Sequence, residues 1–260
     1  MESHMPSVFV TGASRGIGRI VALEFARRGY RVVATARDPG ALAGLDVDQK
    51  LQLDVTDQET VDSAVSAAGE IDILVSNAGA PIIWGAVEAT PPEALELLYA
   101  HNTSGTIRVV QAVLPQMRRR RSGRLLFVSG VLGRVVRPGS SGYAATKWAL
   151  EALVEALATE VRHWGIRATL LQPNTVSSGA LHNARTYSMR DDPYAGLFAQ
   201  LGINPATMLS AREVGVAIAD AAELDDPPLR LPIGDRARAI LAAHRAAVTD
   251  SPFLPIHLDW

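Results

Sequence analysis

Two residues four apart could move a proton. Tyr143 and Lys147, in Tyr143-Ala144-Ala145-Thr146-Lys147, share one face of a helix if the stretch is helical. A tyrosine ordinarily ionises at about pH 10, and a neighbouring ammonium favours the phenolate. The spacing therefore predicts a phenol pKa lowered by Lys147 and proton transfer near neutral pH. Composition adds weight to Lys147: of 25 Lys and Arg residues in the 260-residue chain, only Lys50 and Lys147 are lysine. A compact ammonium and a planar guanidinium are not interchangeable in a tight site.

A second constellation could hold phosphate. Val8-Phe9-Val10 is a short apolar run, Thr11-Gly12-Ala13-Ser14-Arg15-Gly16-Ile17-Gly18 is a glycine-rich turn, and Ile17, Ile20, Val21, Phe25 and Arg28 continue with helical spacing. Glycine lets the backbone curl tightly and approach a ligand, and a helix N-terminus aims free N–H groups at an anion. A nucleotide diphosphate fits against Gly12, Ser14, Arg15, Gly16, Ile17 and Gly18. The alternative is a strand-to-helix turn that binds nothing. No Lys-Ser or Lys-Thr follows the glycines, which disfavours an ATPase loop. The next apolar run, Tyr30 to Ala36, ends at Arg37, where an acidic residue would select the ribose hydroxyls of NAD. Arg37 and Arg15 instead suit a 2′-phosphate, so NADP (NADPH) is expected; the alternative for Arg37 is an ion pair with Asp38. Asp54 and Val55, at the end of a third apolar run, are expected beside the adenine.

These residues need strands and helices to bring them together. Runs at Leu51 to Val55, Ile71 to Ser76, Arg124 to Ser129, Ile166 to Leu171 and Leu229 to Ile233 join the first two as strands. Helical patterns lie between, notably Pro91 to Met117, Ser141 to Trp164, Ala211 to Ala222 and Asp235 to Val248. Near-continuous apolar strands alternating with amphipathic helices indicate an α/β, Rossmann-like, doubly wound, parallel seven-stranded sheet with helices on both faces. One domain over residues 7–250 is expected, with a polar substrate-loop insertion at 177–210. Residues 1–6 are set aside, since Glu2-Ser3-His4-Met5 reads as an expression remnant without a signal-peptide pattern.

The chain is 48% hydrophobic and 20% charged, with a net charge of -2 and no cysteine. Thiol catalysis and Cys-ligated metal are excluded, and no metal is expected. No apolar run reaches the roughly 18 residues of a spanning helix, and the balance of charge attracts neither nucleic acid nor an anionic membrane. A cytoplasmic protein is expected. The dense run Arg118 to Arg121 lies at a predicted helix end, where cations favour the dipole and stay solvated.

Thr11-Gly12-x3-Gly16-x-Gly18, Asn77-Ala78-Gly79, Asn102 and Tyr143-x3-Lys147, in this order and spacing, resemble the short-chain dehydrogenase/reductase family. The resemblance runs from Val8 to about Gly234 and implies the following roles. Tyr143 would protonate a carbonyl oxygen or deprotonate an alcohol as hydride moves to or from the nicotinamide. Lys147 would hold the ribose hydroxyls and lower the Tyr143 pKa, and Asn102 would anchor a water in the proton relay. Asn77, Ala78 and Gly79 would line the cofactor, while Pro173, Val176 and Ser178 would border its carboxamide. A homodimer or homotetramer, joined through long helices bearing Ala145, Ala149 and Ala152, is also implied.

Two positions depart from that pattern. The serine that usually binds the substrate carbonyl, thirteen residues before the tyrosine, is Gly130, and the adjacent Ser129 is expected to face the other way. The glycine after Pro173 is Asn174, which tolerates positive φ. An NADPH-dependent carbonyl reductase or alcohol dehydrogenase is therefore expected, with a cyclase, isomerase or lyase on the same fold as the alternative, because of Gly130. A nucleotide-binding protein without catalysis has no use for Tyr143, Lys147 and Asn102 together. Ser140, Ser141 or a water could replace the missing hydroxyl. Trp84, Leu132, Tyr187, Tyr194, Leu197 and Phe198 suggest a small apolar or aromatic carbonyl or alcohol substrate; their alternative role is packing a lid.

Overall fold

Alternation along each strand sends successive side chains to opposite faces of a sheet, and here both faces are buried. The computed structural model describes residues 5–80, 82–179, 183–202, 204–247 and 253. Residues 1–4 and Val248, the expected end of the last helix, lie outside them. Seven parallel strands, β1 (Ser7–Val10), β2 (Arg31–Ala36), β3 (Gln49–Gln52), β4 (Ile73–Ser76), β5 (Gly123–Val128), β6 (Ile166–Pro173) and β7 (Arg230–Ile233), form one sheet. Their order is β7-β6-β5-β4-β1-β2-β3. The chain order reverses between β1 and β4, the place where such sheets open a crevice at their carboxyl ends.

Eight helices flank the sheet among the described residues: α1 (Gly16–Arg27), α2 (Gln58–Ala68), α3 (Pro92–Tyr99), α4 (Gly105–Arg120), α5 (Ser141–Val161), the short α6 (Ala195–Ala199), α7 (Ala211–Glu223) and α8 (Asp235–Ala246). Phe9, Leu74, Leu125 and Phe127 pack on one face with Val61, Val109 and Val154 from α2, α4 and α5. Val8, Val10, Val75 and Leu126 pack on the other with Val21, Phe25, Val214 and Ile218 from α1 and α7. Removing such fully buried side chains from water stabilises the fold by about 1.5–3 kcal/mol each. α7 starts at a reciprocal cap in which Glu213 N donates to Ser210 Oγ and Ser210 N to Glu213 Oε2.

Three expectations about elements need correction. The third strand ends at Gln52, because Asp54 accepts from Thr56 N and Oγ1 at 2.9 and 2.7 Å and turns the chain; Leu53 and Val55 are buried outside the strand. The long helix over 91–117 is two helices, separated by a wider π turn at Ala100–Ser104. Residues 177–210 are not structureless. Val176–Ser177 pairs with Leu209–Ser210, and Arg185–Thr186 pairs with Ile83–Trp84, before α6 forms. The arginine run is partly structural, since Arg120 donates to Ile71 O at 2.6 Å and Arg118 stacks on Trp164.

Candidate active site

The glycine turn follows β1 and opens α1. Gly12 and Gly16 have φ of 68° and 57°, where a side chain is strained. At Gly18 a Cβ would lie 2.3 Å from Gly12 O, so only glycine lets the helix approach the turn. Asn77, after β4, donates through Nδ2 to Thr11 O and Gly12 O at 3.0 and 3.1 Å, and Thr11 Oγ1 accepts from the N–H groups of Asn77 and Ala78. The Asn77 amide therefore braces the turn, and Ala78 and Gly79 line the groove beside it. Among the described residues no side chain caps α1 and no acidic residue stands in its first turn, which leaves its N–H groups for an anion.

A groove of about 430 Å³ runs from this turn to Tyr143. Gly12, Ser14, Arg15, Gly16, Ile17 and Arg37 line one end, and Asn102, Tyr143, Lys147 and Ser178 the other, with Val55 on its wall. Neither Arg15 nor Arg37 makes a hydrogen bond or ion pair with another described residue, so the alternative for Arg37, an ion pair with Asp38, is not formed. Gly18, Asp54, Pro173 and Val176 do not line the groove: Gly18 faces Gly12, and Pro173 and Val176 border the adjoining cavity. Burial pushes the Asp54 carboxyl up, but the two Thr56 hydrogen bonds and the nearby Arg37 and His101 charges hold it below the usual range.

Asn102 lies in the π turn, 2% exposed. Its Oδ1 accepts from Ala80 N at 2.8 Å and its Nδ2 donates to Thr146 Oγ1 at 3.0 Å, so the side chain fastens the turn to α5 next to Lys147. A bulge of this kind breaks the regular helical ladder and leaves carbonyl capacity for another partner.

Tyr143 and Lys147 do share a face of α5, but Lys147 does not lower the Tyr143 pKa here. Lys147 Nζ donates to Val128 O at 2.8 Å and lies 5.6 Å from the centroid of the Tyr143 ring. Burial, without compensation from the ammonium, pushes the Tyr143 phenol up to about 12. Burial also pulls Lys147 down to about 8, opposed by the Glu151 carboxylate. The expected phenolate is thus replaced by a phenol that keeps its proton at neutral pH.

Glu151 escaped notice in the sequence although it follows Lys147 by one helical turn on the buried face. It accepts from Ser129 Oγ at 2.7 Å, Gln172 Nε2 at 2.9 Å and Arg230 Nε at 2.7 Å. Ser129 Oγ is therefore spent on Glu151; Ser129 does not line the groove but borders the cavity beside Gly130, both residues lying just past the end of β5. Gly130, with φ 160° and ψ 171°, is extended. It borders a cavity of about 160 Å³ with Tyr143, Trp84, Leu132, Pro173 and Asn174. Ser140 Oγ is spent on Arg137 O at 2.8 Å and Ser141 lines an outer groove, so neither replaces the missing serine at this wall. Asn174 does not use a positive φ; its amide is buried without a partner among the described residues. Tyr187 lines the cofactor groove, whereas Tyr194 and Leu197 line only the outer groove and Phe198 lines it together with a third hollow next to Trp84. Among the described residues no three His, Asp or Glu side chains gather as a metal site, and no helix is long and apolar enough to cross a membrane.

A family model described as short chain dehydrogenase matches residues 6–188. The chain is 29% identical over 254 residues to a 3-ketodihydrosphingosine reductase of Bacteroides thetaiotaomicron, covering 94% of this chain and 93% of that protein. A solved short-chain dehydrogenase from Streptomyces avermitilis superposes with a TM-score of 0.83 at 33% identity, covering 94% of this chain and 93% of that one. A structure described as ElxO with NADP bound superposes with a TM-score of 0.74 at 26% identity, covering 91% of this chain and all of that one. With the glycine turn, the Asn77 brace and the Tyr143–Lys147 pair in one groove, the chain belongs to the short-chain dehydrogenase family.

Proposed function

We propose that the protein is an NADPH-dependent oxidoreductase, a ketone reductase or the dehydrogenase of the matching secondary alcohol, with Tyr143 as acid and base. The observation that carries this reading is the buried phenol, which keeps its proton at neutral pH and borders both the groove and the Gly130 cavity. A protonated phenol can donate to a carbonyl oxygen as negative charge develops there. The residues fit NADP: Gly12, Gly16 and Gly18 form a cradle that Cβ atoms would fill, α1 offers free N–H groups, and Arg15 and Arg37 stand where a 2′-phosphate would be read. The orphaned Asn174 amide beside Pro173 and Val176 adds polar capacity at the carboxamide end. Bound NADPH supplies the hydride. Lys147 holds ribose hydroxyls, Asn102 anchors the relay water, and Ile82, Trp84 and Leu132 give the substrate an apolar wall. The NADP-bound ElxO structure and the reductase relative support the cofactor and the direction.

The outer face of α5 supports a homodimer or homotetramer, since Ala145 and Ala152 are exposed there with Trp148 and Leu153. The test of function is to incubate the purified protein with NADPH and a panel of ketones while following cofactor absorbance and product mass. NADPH consumption should match alcohol formed. Tyr143→Phe should lower turnover by about a hundredfold or more with cofactor affinity nearly unchanged. Product formed without NADPH consumption would overturn this reading in favour of non-redox chemistry at the bare Gly130 wall.

A further inference from the structure

An unpartnered amide lies buried where the neighbouring strands β5 and β6 end. Asn174 follows β6, is 7% exposed, and neither its Nδ2 nor its Oδ1 has a hydrogen-bond partner among the described residues. The backbone on either side is fixed: Pro173 pairs with Ile233 of β7, and Thr175 O accepts from Leu209 N at 3.0 Å. Val128 of β5 lies in register with Leu171 of β6, which brings Gly130 alongside Pro173, and a Cβ at Gly130 would lie 3.4 Å from Pro173 O. Asn174 therefore borders the same cavity as Gly130 and Tyr143. It does not line the cofactor groove. Ser129, the hydroxyl next to Gly130 in the chain, is held by Glu151.

A buried amide without a partner lowers stability, so a native fold keeps one where a ligand completes its hydrogen bonds. An asparagine amide offers two N–H donors and one acceptor, so it can meet a carbonyl oxygen and bond a water besides. We propose that Asn174 is a catalytic residue that donates from Nδ2 to the substrate carbonyl oxygen, the bond that the hydroxyl absent at Gly130 would make. The proposal rests on the oxidoreductase reading. The two departures from the family pattern then compensate each other, since position 130 loses a hydroxyl and position 174 gains an amide on the same wall. During reduction, hydride from NADPH forms the new C–H bond, the carbonyl π pair moves to oxygen, and the Tyr143 proton joins it, leaving NADP, an alcohol and a phenolate that solvent reprotonates. Asn174 gives up no proton. Its N–H holds the oxygen while negative charge develops there. Such a donor matters more where burial keeps the phenol's proton in place.

The test is Asn174→Leu, which removes the donors and keeps nearly the same shape. On a small ketone kcat should fall about tenfold to a hundredfold, with NADPH affinity by calorimetry within about twofold of wild type. The ligand-free variant should melt no lower than wild type, because an unpaired amide has been exchanged for an apolar group. Adding Gly130→Ser to Asn174→Leu should recover part of the lost rate, since a hydroxyl returns to the same wall. A kcat that stays at the wild-type value overturns the proposal. So does a loss confined to NADPH affinity, with kcat kept at saturating NADPH, which would assign the amide to the cofactor carboxamide. A clear fall in melting temperature also overturns it, because the amide would then be making a structural bond. If Asn174→Leu does not fold, Asn174→Ala carries the same comparison of kcat and NADPH affinity. Product formed by wild type without NADPH consumption overturns the redox reading alone, and the effect of Asn174→Leu on that turnover still decides whether the amide is the donor.

Discussion

At the scale of the residue, Gly130 and Lys147 make the sharpest demands. A Cβ at position 130 would sit 3.4 Å from Pro173 O, an ordinary contact, on an extended backbone that any residue adopts. Gly130→Ser should therefore fold and place a hydroxyl on the cavity wall beside Tyr143. Losing one donor to a developing oxyanion costs about a hundredfold or more, so small ketones should gain part of that factor while bulky ketones that use the glycine's space lose rate. Steady-state kinetics on one small and one bulky ketone check this, and unchanged values for both would place residue 130 away from the reacting carbon. Lys147 makes a prediction about pH. Burial pulls its pKa in the fold down to about 8 from the ordinary lysine value of 10.5, so the unfolded chain binds more protons between those values. Its contribution to stability therefore rises with pH through that window, and below it the buried ammonium costs stability. In urea titrations below pH 10, where Tyr143 remains protonated in both states, wild type should gain on Lys147→Met as pH rises. Parallel pH curves for the two proteins would contradict the depressed pKa.

At the scale of the element, the β1–α1 turn and the end of β2 act as one device. The turn supplies backbone N–H groups, and β2 ends at Ala36 so that Arg37 leaves the sheet at the rim of the groove. Arg37→Ala removes a guanidinium with no structural bond to lose. NADPH affinity should fall by about 1–3 kcal/mol while NADH affinity stays nearly constant, read by calorimetry with each cofactor. Equal weakening of both would remove Arg37 from cofactor selection. The π turn between α3 and α4 is a device of another kind. It brings Asn102 between Ala80 N and Thr146, so a helix that needs no ligand for its own stability is bent to serve the site.

At the scale of the whole molecule, helices cover both faces of the sheet and leave the outer face of α5 to carry Trp148 and Leu153, 42% and 40% exposed. Exposed aromatic and aliphatic side chains beside small alanines permit close helix contact between copies. Ala149→Glu should shift the sedimentation of the protein towards the monomer. A mass unchanged by that substitution would leave the α5 face outside any subunit contact.

What the sequence determined by itself is what depends on neighbours along the chain. The apolar strands, the glycine turn, the Arg37 position and the Tyr143–Lys147 spacing are legible because pleat, helix period and positive φ act over a few residues. Tertiary structure decided the rest, because those properties depend on groups far away in sequence. Lys147 Nζ donates to the Val128 carbonyl, nineteen residues away, and burial pushes the Tyr143 phenol up, against the direction that the spacing predicts. Glu151 is held in the interior by Ser129, Gln172 and Arg230, which converge on it from three other segments. The third strand stops at Gln52 through an aspartate turn, and the helical pattern over 91–117 conceals the π turn, since periodicity alone does not register a wider turn held open by Ala80 and Thr146. The stacking of Arg137 on Trp84 likewise arises where two separate loops meet.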